Sequence, residues 1–224
     1  MAGRAEFLDN IRHRTRTGKY KPTQSPDVAW TPKEQSHESP WIEDPPARFL
    51  EELEALGGHG QRVATLGEAR GYVLELARER GAKRLVRWDV EELEEMGVDG
   101  PLGEAGVEVA VWRDLEDFRE VAGKADIGLS TAAWAIAETG SLVIEGGPGR
   151  GRTVTLLPPT HVAVVPVDRM LRTVPEAISK YAGGGGTLPA NVTFHTGPSR
   201  SGDIEMSIFV GMHGPGDVHV VLVG

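Results

Sequence analysis

The stretch Gly211-Met212-His213-Gly214-Pro215-Gly216-Asp217-Val218-His219-Val220-Val221-Leu222-Val223 decides how the rest of the chain is read. A Gly/Pro turn delivers the backbone into the apolar run Val218–Val223. A short run of this kind, rich in valine, suits a strand buried on both faces. Just upstream, Gly197-Pro198-Ser199-Arg200-Ser201-Gly202-Asp203-Ile204-Glu205 forms a second Gly/Pro bend. Between them the two bends gather Ser199, Arg200, Asp203, Glu205 and His213. Glycine permits turns with positive φ and close approach of a ligand. Polar groups on turns at the mouth of buried strands are where α/β proteins hold small anions. A surface turn with solvated charges is the other reading of the same residues.

Working outward, strand and helix patterns alternate. Strands are expected at Gln61–Leu66, Lys83–Trp88, Val107–Trp112, Ala125–Leu129, Ser141–Glu145, Val162–Val167, Asn191–His195 and Val218–Val223. Helices are expected at Ala47–Leu56, Glu68–Arg80, Val90–Met96, Leu115–Val121 and Pro175–Tyr181. The first carries Phe49, Leu50, Leu53 and Leu56 at helical spacing and stops at Gly57-Gly58. This order predicts an α/β fold, an open and mostly parallel sheet flanked by helices. Upstream, residues 1–17 suit a short helix, and six prolines between residues 21 and 46 make an extended arm. The expected division is an arm at 1–45 and an α/β domain at 46–224. Trp30 and Trp41 would anchor the arm, to its own core before a neighbouring subunit.

Composition narrows the function classes. The 224 residues carry a net charge of −9, but the first 21 hold six basic residues against Glu6 and Asp9, a local +4 that leaves −13 elsewhere. The acidic body argues against broad nucleic-acid binding. Absence of cysteine excludes disulfides, a thiolate nucleophile and an iron–sulfur cluster held by this chain's own cysteines. No apolar run approaches the roughly 18 residues of a membrane span, and no signal-peptide core is visible. A cytoplasmic protein is the simplest expectation. Gly-x-Gly-x-x-Gly after an early strand, Gly-x-Ser-x-Gly and a helical His-x-x-x-His pair are all missing. No cofactor and no metal site is therefore expected.

Two further segments carry candidate chemistry. In Ala137-Glu138-Thr139-Gly140-Ser141, the hydroxyls of Thr139 and Ser141 and the turn's N–H groups suit an anion. Glu138 there suits a base or an acyl-accepting carboxylate, or else a solvated helix-end residue. Glu145-Gly146-Gly147-Pro148-Gly149-Arg150-Gly151-Arg152 puts two guanidinium groups, Arg150 and Arg152, on a glycine-rich turn. Such groups capture carboxylate or phosphate, unless both are simply solvated. One of the Ser130 and Thr131 hydroxyls could face the same pocket. His161, at the start of a buried strand, reads as a satisfied structural histidine.

Several of these motifs, in one order, resemble the lactate utilisation protein C family, whose defining unit is the LUD domain. The matching residues are Glu138–Val143, Leu156–Val165, Gly197–Arg200 with Asp203–Glu205, and Gly211–Pro215. Ser201-Gly202 departs from the family's usual Thr-Ala. The resemblance implies a fold similar to the NagB/RpiA/CoA transferase-like proteins, in which a Glu-bearing turn occupies the place of Glu138-Thr139-Gly140. It further implies a subunit of a three-component system that oxidises L-lactate to pyruvate. The partners would be iron–sulfur subunits, and this chain would offer a small-carboxylate pocket or an assembly surface, with a homo-oligomer also open. The alternative is a stand-alone enzyme on a small anionic substrate, an acyl-CoA or a sugar phosphate.

Overall fold

The computed structural model describes Asp9 and residues 41–114, 117–182, 189–202 and 208–224. The expected helix at 1–17, apart from Asp9, and nearly all of the proline-rich arm, Trp30 included, lie outside the described residues. By its contacts the chain divides between Ser39 and Pro40, and Pro40–Gly224 is the larger compact unit.

Helix α1 (Pro45–Ala55) begins where the Asp44 carboxylate accepts the Ala47 N–H, with proline in the first turn. It buries Phe49 and Leu53 against the sheet. Strand β1 (His59–Val63) leads to α2 (Leu66–Glu79). Thr65 caps that helix through the Glu68 N–H, and the Glu68 carboxylate reaches back to the Ala64 N–H. Then follow β2 (Arg84–Arg87), α3 (Glu91–Met96), α4 (Asp99–Glu104), β3 (Glu108–Val111), α5 (Phe118–Lys124) and β4 (Ile127–Ser130). With β7 (Thr160–Pro166) and β12 (Asp217–Val223) they build a six-stranded sheet. Its order is β1-β12-β7-β4-β2-β3, and every pairing is parallel. The α/β expectation holds, and Val218–Val223 lies in an interior strand, next to the edge strand β1, with Val218, Val220, Val221 and Leu222 buried.

Four further strands form a second sheet, which the alternation of strand and helix patterns does not distinguish from the first. Strands β5 (Trp134–Ile136), β6 (Ser141–Gly146), β8 (Met170–Leu171) and β9 (Asn191–His195) pair in the order β8-β5-β6-β9. β6 is antiparallel to both neighbours. The four residues 137–140 joining β5 to β6 are too few for a parallel crossover, which needs about a dozen. Helices α6 (Arg152–Leu156) and α7 (Val174–Ala182) and the strands β10 (Arg200–Gly202) and β11 (Ile208–Val210) complete the described elements. α6 replaces the expected loop at Arg152 and packs so closely on β4 that a Cβ at Gly128 would collide with the Val154 carbonyl oxygen. Trp41 is not a core anchor: it is 82% exposed, with the Arg172 guanidinium 5.3 Å from its ring centre.

Candidate functional site

From β2 the chain runs outward to β3, then crosses back to continue through β4 to β7 and β12 on the other side. The crevice beyond the carboxyl ends of β2 and β4 is thus a topological switch point, where open α/β sheets generally hold ligands. A cleft of about 170 Å3 lies there. Trp88 enters it directly after β2, Thr131 directly after β4, and Arg169 from the turn after β7. Glu92 of α3, Glu145 of β6 and Arg150 complete its polar lining. With water occupying about 30 Å3 in the liquid, the space suits a solute of roughly half a dozen heavy atoms.

The electrostatics of this cleft are balanced in pairs. Arg169 donates to the Thr131 hydroxyl at 3.0 Å and to the Ala132 carbonyl at 3.1 Å, and it hydrogen-bonds the Glu92 carboxylate. Burial pushes Glu92 upward, yet the Arg169 hydrogen bond, a backbone hydrogen bond and the charges of Arg169 and Arg150 together hold the carboxyl below its ordinary value. Arg150 lies 3.5 Å from Glu145, and the Tyr181 hydroxyl donates to the same carboxylate at 2.7 Å. Burial, then that carboxylate, raise the Tyr181 phenol. The Trp88 indole N–H donates to the Gly151 carbonyl at 2.9 Å, tying the Arg150 turn to the end of β2. A ligand carboxylate can exchange with Glu145 or Glu92 on two guanidinium groups that are already positioned.

A second polar assembly joins the expected motifs around the end of α1. The Thr139 and Ser141 hydroxyls lie 2.8 Å apart, and Ser141 is again 2.8 Å from the Thr196 hydroxyl. Gly140, at φ +61°, sits so close to α1 that a Cβ would come 2.6 Å from the Leu53 nitrogen. Arg200 donates to the Leu56 carbonyl beyond the same helix, and the Ser199 backbone bonds to both Gly211 and Pro215. The Thr139-Gly140-Ser141 turn thus adjoins α1 at Leu53, and Arg200 adjoins its end at Leu56. His213 stands exposed on the attached turn, and Asp203 and Glu205 lie outside the described residues. Arg152 is exposed at the start of α6, away from the cleft that Arg150 lines.

Glu138 has a structural task. One of its carboxylate oxygens accepts the Val174 N–H at 2.6 Å, at the start of α7. With Thr139 it borders a larger cleft of about 700 Å3 beside α1, whose charged lining is Glu43, Asp44, Glu51 and Glu138 against the single Arg48. That sign repels an anion. His161 is fully buried; its Nε2 lies 2.8 Å from the Ser130 hydroxyl, while Nδ1 has no partner. It is therefore only half satisfied. Burial lowers its pKa to about 3, so the ring is neutral. The His195 ring lies 6.0 Å away, edge on, and is lowered by burial as well. Glu92 and Arg169 escaped the sequence reading because neither sits in a distinctive motif, and only the switch point brings them to Arg150.

Residues 46–223 match the LUD domain. The chain belongs to the LUD domain family. It is 37% identical over 158 residues to the lactate utilization protein C of Halalkalibacterium halodurans, covering 69% of this chain and 67% of that protein. To the protein of the same name from a Geobacillus species it is 32% identical over 170 residues, covering 70% and 69%. For that of an Exiguobacterium species the figures are 44% over 112 residues, 48% of each chain. Coverage of these relatives thus runs from about half to about two thirds of their length. The crystal structure of a DUF162 family protein from Deinococcus radiodurans superposes with a TM-score of 0.56 at 23% identity, over 80% of this chain and 95% of that one. This likeness bears out the α/β fold. Among the described residues no helix is long and apolar enough to cross a membrane.

Proposed function

We propose that this LUD-domain chain serves lactate utilization as a carboxylate-binding subunit of a cytoplasmic three-component system that oxidises L-lactate to pyruvate. The observation that carries the reading is the pairing of Arg150 and Arg169 across a small cleft at the switch point of the parallel sheet. Arginine presents a planar fork of donors that matches a carboxylate, and a hydroxyl such as Thr131 can accept from or donate to a 2-hydroxyl or 2-oxo group. L-lactate and pyruvate each have six heavy atoms, the size the cleft admits. The chain has no cysteine, so the electron-carrying clusters belong to partner subunits. In this arrangement residues 46–224 form the working domain, and the N-terminal arm is available for assembly. Thr139, Ser141, Ser199 and Arg200 support the fold around α1 rather than the cleft itself.

The test combines binding and association. Calorimetry with L-lactate and pyruvate should give binding that Arg150→Ala weakens. Affinity purification from the source cells grown on L-lactate should recover iron–sulfur proteins, identified by mass spectrometry. Absence of both the ligand binding and the recovery would sink the proposal. A stand-alone enzyme acting through Glu138 is less well supported, because that carboxylate already caps α7 and its cleft is acidic. Turnover of an acyl-CoA or sugar phosphate that Glu138→Gln abolishes would favour it instead.

A further inference from the structure

On the opposite edge of the sheet, at the amino ends of β1 and β12, three side chains converge. His59 is the first residue of β1 and pairs in register with His219 of β12, whose first residue is Asp217. The two imidazoles stack with ring centres 4.7 Å apart and planes inclined by 27°. Asp217 Oδ1 lies 3.5 Å from His59 Nε2 and 3.1 Å from His219 Nε2. One ligand atom from each of the three residues falls within 4.8 Å of the other two.

Their spacing is that of ligands on one small ion. Zinc–nitrogen and zinc–oxygen bonds of about 2.0–2.2 Å in a tetrahedron put neighbouring ligand atoms about 3.3 Å apart. Both measured separations straddle that value. His219 Nε2 supplies a further sign. The residue is only 5% exposed, and this nitrogen makes no well-aligned hydrogen bond: the Asp217 carboxylate oxygen is 3.1 Å away but poorly placed to accept an N–H. A buried polar atom left without a partner calls for an explanation, and a metal bond is one.

The surrounding groups orient the three. Tyr72 Oη lies 2.7 Å from His219 Nδ1, so the Nδ1–H can donate to the phenol and leave the Nε2 lone pair facing Asp217. Metal-bound histidines usually have such an outer partner. Arg80 donates to Asp217 Oδ2 at 2.7 Å, and the Thr160 hydroxyl lies 3.4 Å from the same oxygen, which leaves Oδ1 to the imidazoles. The His59 side chain is 57% exposed, which opens a path for an ion and leaves a fourth position to water. Two imidazoles and one carboxylate suit zinc and its transition-metal neighbours, and are too poor in oxygen for magnesium or calcium.

We propose that His59, Asp217 and His219 bind one divalent transition-metal ion, Zn2+ being the best suited, bridging β1 and β12 with a solvent-facing fourth position. The site is separate from the carboxylate cleft and does not depend on it. Full-length chain, freed of any affinity tag and stripped with chelator, is titrated with Zn2+ by calorimetry and with Co2+ by visible absorption. One ion per chain is expected, with the intense d–d bands of tetrahedral Co2+. His59→Ala, a change at an exposed ring, should abolish the stoichiometric binding and the bands. Tyr72→Phe should weaken Zn2+ by about 10- to 100-fold. Binding that survives His59→Ala unchanged, or a wild-type chain that takes up no ion, overturns the proposal.

Discussion

Arg169 and Thr131, 38 residues apart in sequence, meet at 3.0 Å, guanidinium to hydroxyl, across the carboxyl ends of β7 and β4. This bond fixes the mouth of the switch-point cleft, because the same guanidinium also holds Ala132 and Glu92. Arg169→Ala leaves the half-buried Glu92 carboxylate without its guanidinium partner, while the Thr131 hydroxyl keeps the Ala132 carbonyl at 3.2 Å. A stability loss of about 1–2 kcal/mol is expected, between the values for exposed ion pairs and for hydrogen bonds to charged groups. L-lactate affinity should fall by about 10- to 100-fold, as for the loss of a charge-assisted hydrogen bond. Urea denaturation and calorimetry measure the two effects separately. An unchanged affinity would place the anion elsewhere.

Gly140→Ala tests how the Thr139 turn is held. The left-handed backbone costs a residue with a Cβ about 1–2 kcal/mol, and here the added carbon also meets the backbone of α1 at Leu53. The expected loss therefore exceeds 2 kcal/mol by roughly the price of moving a packed helix. A midpoint in urea within error of wild type would show that α1 can withdraw freely from this turn.

The sequence made the parallel sheet legible because its strands are continuous apolar runs separated by amphipathic helices. Val218–Val223 and Asn191–His195 fall on or within the observed strands. Direction was less legible. Leu142-Val143-Ile144 is buried in β6, which is antiparallel to its neighbours, and burial on both faces looks the same in either direction. The four-residue link from β5 carried the missing signal. For the site, Arg150 was visible as a guanidinium on a glycine turn, but Glu92 is one of four glutamates on an acidic helix and Arg169 follows Asp168 in an ordinary turn. Tertiary topology alone unites them. His59 and Asp217 were invisible for the same reason, since only strand register sets them beside His219.

Ser141 bridges two hydroxyls at 2.8 Å while itself only 2% exposed. Ser141→Ala removes both contacts, but Thr139 and Thr196 retain access to water. The cost should accordingly be about 1 kcal/mol, the net worth of an ordinary hydrogen bond, rather than that of a buried orphan. Ser141→Val, which adds volume at a fully buried position, should cost more. Chemical denaturation of both variants decides; a larger loss for alanine than for valine would contradict this account.

His161 makes stability depend on pH in a predictable direction. Its folded pKa is lowered to about 3 by burial, with His195 and His219 adding repulsion. The unfolded ring titrates near its ordinary value of about 6.5. Below that value the unfolded chain takes up a proton that the folded chain refuses, so stability is full above pH about 6.5 and declines as pH falls toward 3. The slope for one fully transferred proton is about 1.4 kcal/mol per pH unit. His195 and His219, also lowered chiefly by burial, act in the same sense. Between pH 7 and 5, above the main carboxylate titrations, wild type should lose stability more steeply than His161→Gln, whatever the variant's absolute stability. Urea midpoints at four or more pH values give both slopes. Parallel slopes would mean that His161 keeps a proton in the fold, against the buried, half-partnered ring described here.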